Sequence, residues 1–187
     1  VTDVALGLEY LHENGVVHGN LKGTIYSRTL TPELLPGQQK NVLVGEDGHA
    51  VLADFGITSI LNPDVLVGIS IPSSVSQEGT ARWRAPETFS IEDDEESPDT
   101  TSSDVYAFAM VAYEIFANQL PFSQLKVDVS IMRAVVEGKR PSRPPTSSAS
   151  WSVWGLTDDM WTIMESCWLA QSEKRPTVRN LILCFKP

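Results

Sequence analysis

Apolar residues at Val1, Val4, Ala5, Leu8 and Leu11 keep the i, i+3, i+4, i+7 spacing of one helix face, and Asn14-Gly15 supplies a stop. Residues 1–14 are therefore predicted to form an amphipathic helix. Val42-Leu43-Val44 and Val51-Leu52-Ala53 are short β-type runs separated by Glu46-Asp47-Gly48, whose Asp-Gly pair signals a hairpin. The stretch Asp104 to Asn118 is apolar on nearly every face (Val105, Phe108, Met110, Val111, Ile115, Phe116) and follows the cap-type residues Thr101, Ser102 and Ser103, which predicts a buried helix. Residues 126–137 form a further helix candidate ending at Gly138, and 139–150 read as a Pro/Ser-rich loop. Leu156, Met160, Ile163, Met164 and Cys167 line one more helical face, and Thr177 caps a last helix over 178–185. The pattern is mostly helical with one hairpin, without internal repeats.

Composition narrows this picture. A chain of 187 residues with 42% apolar content can build one domain around its own core. A net charge of −10 offers no basic footprint, so nucleic acid and anionic lipid surfaces are excluded as partners. Six carboxylates between Glu92 and Asp99 supply much of that charge and read as a solvated loop, with docking of a basic partner as the alternative. The most apolar stretch, residues 105–117, contains Glu114 and is too short to span roughly 30 Å of hydrocarbon. Two cysteines, Cys167 and Cys184, make no secreted disulfide framework, which fits a reducing, cytoplasmic compartment. The chain opens at Val1 without Met, directly in helix-like sequence, so an upstream segment is expected.

Three strings carry chemistry, in this order: His18-Gly19-Asn20-Leu21-Lys22, Asp54-Phe55-Gly56 and Ala85-Pro86-Glu87. Asn41-Val42-Leu43-Val44 precedes the hairpin, Gly79-Thr80 precedes the third string, Asp104 opens the buried helix, and Arg175-Pro176 lies near the end. Together they resemble the catalytic loop, metal-binding triplet and activation-segment end of a eukaryotic protein kinase. Thr80-Ala81-Arg82-Trp83, Cys167-Trp168 and Lys22 resemble the tyrosine-kinase-like group of Ser/Thr kinases. The resemblance covers nearly the whole chain. It implies a protein-kinase-like α+β fold in which residues 1–187 form the mostly helical C-terminal lobe with its small hairpin, and residues 54–87 form the activation segment. The N-terminal lobe, with the Gly-rich loop and strand lysine that hold ATP, is then absent from this chain and expected upstream.

The same resemblance assigns roles. Asp54 and Asn41 match the two Mg²⁺ ligands of an ATP site, and hard cations take such oxygen donors. Lys22 matches the cation that faces the transferred phosphate, and Thr80 a threonine that contacts the protein substrate. His18, Asp104, Glu87 and Arg175 match structural positions: His18 holds the catalytic loop together, Asp104 anchors its backbone, and Glu87 pairs with Arg175. Each also has a plainer reading. His18 is a packed core histidine, Asp104 a helix N-terminal acid, Thr80 a loop hydroxyl, and Glu87 and Arg175 solvated charges. Trp151 and Trp154, in loop sequence, mark a possible contact surface, and the serines between Ser70 and Ser76 read as loop.

Two departures bear on activity. Asn20 stands at the catalytic-acid position, and an amide has no basic carboxylate to take a proton; Gly19 stands where the family carries Arg. In addition, Asn20 and Asn41 lie 21 positions apart where the family pattern has five. Deleting Thr24 to Gln39 restores the family spacing, so residues 24–39 are an insertion in the catalytic loop, either a lineage-specific loop or a retained intron. The sequence thus leads to a kinase fragment, impaired in ATP- and Mg²⁺-dependent phosphoryl transfer to protein Ser/Thr and inactive by itself. The alternative is a pseudokinase that binds protein partners.

Overall fold

The computed structural model describes residues 1–23, 41–45, 47–53, 59–60, 80–89, 91–92, 95–96 and 99–185, with the backbone alone for 59–60, 91–92 and 95–96. The insertion at 24–39, the Asp54-Phe55-Gly56 triplet and the serines at 70–76 lie outside them. Helix α1 (Thr2–Glu13) buries Val4, Ala5 and Leu8 and stops where Gly15 takes φ +71°. The hairpin pairs β2 (Val42–Val44) with β3 (Ala50–Leu52), in the antiparallel register Val42↔Leu52, Leu43↔Val51 and Val44↔Ala50. Gly48, at φ +83°, supplies the left-handed residue of its turn.

The hairpin packs on α1, and two details fix that contact. Asp3 accepts the Ala50 N–H at 2.9 Å, and Gly7 lies so close that a Cβ there would meet Leu52 Cδ1 at 3.0 Å. Helix α2 (Thr101–Ala117) is the axis of the core, with twelve buried residues. It starts three positions before the expected Asp104, because the cap is Thr100: Thr100 Oγ1 accepts the Ser103 N–H at 3.1 Å, and Ser103 Oγ accepts the Thr100 N–H at 2.9 Å. Asn118 closes it in the left-handed conformation, φ +50°.

Around α2 lie α3 (Asp128–Val136), α4 (Ala149–Ser152), α5 (Asp158–Cys167) and α6 (Val178–Cys184). Thr157 and Thr177 cap α5 and α6 by accepting the N–H groups of Met160 and Asn180. Trp161 and Trp168 meet edge to face at 5.5 Å beside α2.

Three expectations are corrected. The described residues hold three two-stranded sheets rather than one hairpin: β1 (Val16–Val17) pairs with β4 (Ser59–Ile60), and β5 (Ile91–Glu92) with β6 (Glu95–Glu96). Two-residue strands leave too short a period-2 pattern to read. Part of the acidic run is thus strand rather than loop. The Pro/Ser-rich segment ends in the helical turn of α4, where Trp151 packs by donating its indole N–H to the Pro144 carbonyl at 3.1 Å. No helix among the described residues is long and apolar enough to cross a membrane.

Candidate active site

The segment His18 to Gly23 leaves β1 and runs along α2. Asp104, in the first turn of α2, accepts the His18 N–H at 2.8 Å and the Gly19 N–H at 2.9 Å, one on each carboxylate oxygen. His12 of α1 meets the same carboxylate through Nε2 at 2.8 Å. Charge-assisted bonds of this kind are about twice as strong as neutral ones, so the loop start is firmly held. His18 is fully buried, and its Nδ1 accepts the Asn20 N–H at 3.3 Å, which closes the bend. Gly19 sits at φ +68°, a conformation that glycine adopts without Cβ strain.

The far end of the segment meets Glu114, ten residues further along α2. A Cβ on Gly23 would lie 2.7 Å from Glu114 Oε2, so close approach demands glycine there. The same oxygen accepts the Trp83 indole N–H at 3.1 Å. Lys22 is buried between these two anchors.

Asn41 crosses the gap left by the insertion. Its Nδ2 donates to the backbone carbonyl of Asn20, and its own carbonyl accepts the Ala53 N–H at 2.8 Å. Two atoms here are buried without a hydrogen-bond partner among the described residues: Asn41 Oδ1 and Asn20 Nδ2. A buried amide oxygen left without a donor is costly by itself and suits a hard cation. The donor chemistry of Asn41 therefore fits Mg²⁺, although no cluster of three or more His, Cys, Asp or Glu capable of holding a metal occurs among the described residues.

Thr80 is half-buried, and its backbone carbonyl accepts the Trp83 N–H at 3.1 Å, which places it in the same turn as the residue bound to Glu114. Arg82 donates to the carbonyls of Pro121, Phe122 and Leu125, and burial holds its guanidinium below its ordinary pKa, with Asp128 opposing. Arg84 braces the following 3-10 turn (Pro86–Phe89) by bonds to the Thr88 hydroxyl and carbonyl. Glu87 in that turn meets Arg175 through two bonds, and Arg175 also donates to the Ser102 and Leu169 carbonyls. The Tyr106 ring lies 5.2 Å from both the Arg175 and the Arg140 guanidinium carbons, and burial pushes its phenol well above the ordinary value.

The structure thus brings His18, Asn20, Lys22, Asn41 and Asp104 together, and ties Glu87 to Arg175 beside the first turn of α2. A family model described as protein tyrosine and serine/threonine kinase matches residues 37–185. The chain belongs to the protein kinase family. Among its relatives, the Serine/threonine-protein kinase TNNI3K of Homo sapiens is 36% identical over 181 residues, covering 97% of this chain and 18% of that protein. Receptor-interacting serine/threonine-protein kinase 1 of Homo sapiens is 28% identical over 198 residues, covering the whole chain and 25% of the relative. The Dual specificity protein kinase pyk3 of Dictyostelium discoideum is 28% identical over 184 residues, or 97% and 11%. The chain spans a quarter or less of the length of these three kinases.

Three of these contacts fall on residues to which the sequence reading gave no role. His12 continues the inner face of α1 four residues after Leu8, and a histidine on an apolar face was its signal. Glu114 was visible as the lone charge in the apolar run of α2 and turns out to be buried against Trp83 and Gly23. Arg82 left no comparable trace, because its partners are backbone carbonyls some forty residues away.

Proposed function

We propose that this chain is the C-terminal lobe of a protein kinase domain that engages Mg·ATP and transfers phosphate to protein Ser/Thr slowly, because Asn20 removes the general base. The bond from Asn41 to the Asn20 carbonyl carries this reading. It draws the two ends of the catalytic loop together across 21 positions and leaves Asn41 Oδ1 as a buried oxygen donor for the metal. Asp54 is the second metal ligand, Lys22 the cation toward the transferred phosphate, and Thr80 the contact to the protein substrate. His18 and Asp104 hold the loop, and Glu87 with Arg175 holds the end of the activation segment.

A missing general base costs roughly 10²–10⁴ in rate, while positioning and metal electrostatics, which dominate phosphoryl transfer, keep their residues. This reading requires a further lobe that binds the adenine and carries the strand lysine. Residues 24–39 are an insertion whose deletion restores the family spacing; a transcript that encodes Gly23 and Asn41 with one residue between them would mark it as a retained intron.

A second reading, a pseudokinase that recognises protein partners, is favoured by the Asn20 amide, whose Nδ2 is buried without a partner among the described residues. Phosphate transfer from Mg·ATP by the full-length protein separates the two. Activity that is lost in Asp54→Ala and rises in Asn20→Asp supports the kinase; turnover no faster than that of Asp54→Ala supports the pseudokinase.

A further inference from the structure

The Arg82 guanidinium donates to three backbone carbonyls, Nη1 to Pro121 at 2.9 Å and Phe122 at 2.7 Å, and Nη2 to Leu125 at 2.8 Å. All three belong to the corner between α2 and α3. Phe122 stands there at φ +52°, which side-chain-bearing residues rarely adopt, with its ring buried and its carbonyl also accepting the Leu125 N–H at 2.9 Å. The corner is therefore an uncommon backbone shape whose carbonyls converge on one point, and a rigid fork of donors fills it. A lysine ammonium is a point charge and cannot reproduce that fork.

Arg82 also belongs to the Thr80–Trp83 turn, closed by the Trp83 N–H on the Thr80 carbonyl. Trp83 fastens this turn to Glu114 of α2, and Arg82 fastens it to the corner. Held from two sides, the turn has one position relative to the catalytic loop. Arg82 bonds to backbone carbonyls only; the Phe122 side chain belongs to the apolar core and Leu125 packs against it, and truncating Arg82 removes neither side chain.

We propose that Arg82 is a positioning residue for the protein substrate: by seating the Thr80–Trp83 turn on the α2–α3 corner, it sets where Thr80 meets the substrate chain, and it takes no part in nucleotide binding. This deepens the kinase reading above and rests on it.

The test uses the full-length protein carrying Asn20→Asp as parent, with Mg·ATP and myelin basic protein as the phosphate acceptor. Arg82→Ala is expected to raise the KM for the acceptor roughly ten- to hundredfold, the scale of a misplaced reaction partner, while the KM for ATP stays at the parental value. Arg82→Lys is expected to behave alike. Guanidinium ion below denaturing concentration should recover part of the activity of the alanine variant and none of the lysine variant. Hydrogen exchange should accelerate at residues 80–85 and 121–125 and stay at the parental rate in α2.

An unchanged acceptor KM overturns the proposal. So do two KM values that rise together, or exchange that accelerates through α2, since either marks lost folding rather than lost position. A parent without phosphate transfer overturns the kinase reading instead; the seating of the turn by Arg82 is then judged on exchange alone, and unaltered exchange at residues 80–85 sinks it.

Discussion

Arg175 lays two nitrogens against the two carboxylate oxygens of Glu87, at 2.6 and 2.8 Å, across 88 residues of chain. The Arg175 side chain has no solvent exposure and that of Glu87 retains 26%, so the pair is desolvated mainly on the cationic side. Removing the carboxylate leaves a buried guanidinium with carbonyls and the Tyr106 ring but no counter-charge. Glu87→Gln is expected to lower stability by about 3 kcal/mol, at the lower end of what breaking a buried pair costs. Arg175→Met with Glu87→Leu should lose less than the sum of the single changes. A double-mutant cycle by chemical denaturation measures the coupling, and additive losses would show that the two residues act independently.

Gly19 carries the bend of the His18–Gly23 segment at φ +68°, with its N–H on Asp104. A Cβ there forces a left-handed conformation on an L residue. Gly19→Ala is therefore expected to cost about 1–2 kcal/mol without altering the core. Gly15→Ala, at φ +71° on the exposed end of α1, serves as the comparison, because it pays the same backbone strain without touching the Asp104 anchor. If the two variants melt together while only Gly19→Ala accelerates exchange at His18, the loop bend is separable from the fold.

Asp3 joins helix α1 to the hairpin. The Ala50 N–H holds its carboxyl below the ordinary value, helped by His49 and opposed by burial. A depressed carboxylate stabilises the fold fully above its unfolded value, near ~3.9, and this contribution disappears as pH falls through the lower folded value. The difference in unfolding midpoint between the protein and Asp3→Asn should thus be largest near neutrality and close in strong acid. A difference that stays constant across that range would remove the carboxylate from the account.

Cys167 is buried on α5, and burial pushes its thiol up to about 12, whereas Cys184 on α6 is exposed. The thiolate is the reactive form. Iodoacetamide at pH 8 is expected to modify Cys184 and leave Cys167 untouched until denaturant is added. Peptide mapping of the alkylated protein checks this, and equal labelling in the native state would refute the packing of α5 against α2.

Much of the scaffold was legible because its signals are local. Apolar spacing located α1 and α5, the Thr177 cap marked α6, the Asp-Gly pair marked the β2–β3 hairpin, and the all-round apolar run marked α2 as a buried helix. What escaped was non-local. The pairing of β1 with β4 joins segments 43 residues apart through two residues each, too few to leave a periodic trace. The true cap of α2 was Thr100, chosen among four consecutive cap-type hydroxyls by its reciprocal bond with Ser103. At the site, Asn20, Asn41 and Asp104 could be named from motif order, but the tether of Asn41 to the Asn20 carbonyl depends on the loop folding back on itself.

Helix α2 also acts as a ruler. Asp104 and Glu114 are separated by ten residues, or about 15 Å of helix rise, and the segment from Gly19 to Gly23 that runs between them can span about 13–14 Å when extended. Both ends of this short segment therefore meet carboxylates carried by one helix. Residue 20 lies between these two marks and is neither of them. A lineage could lose the acid at position 20 and later regain it by a single codon change, with no rebuilding of the frame. In such a fold, the frame of the loop and the identity of residue 20 can change independently.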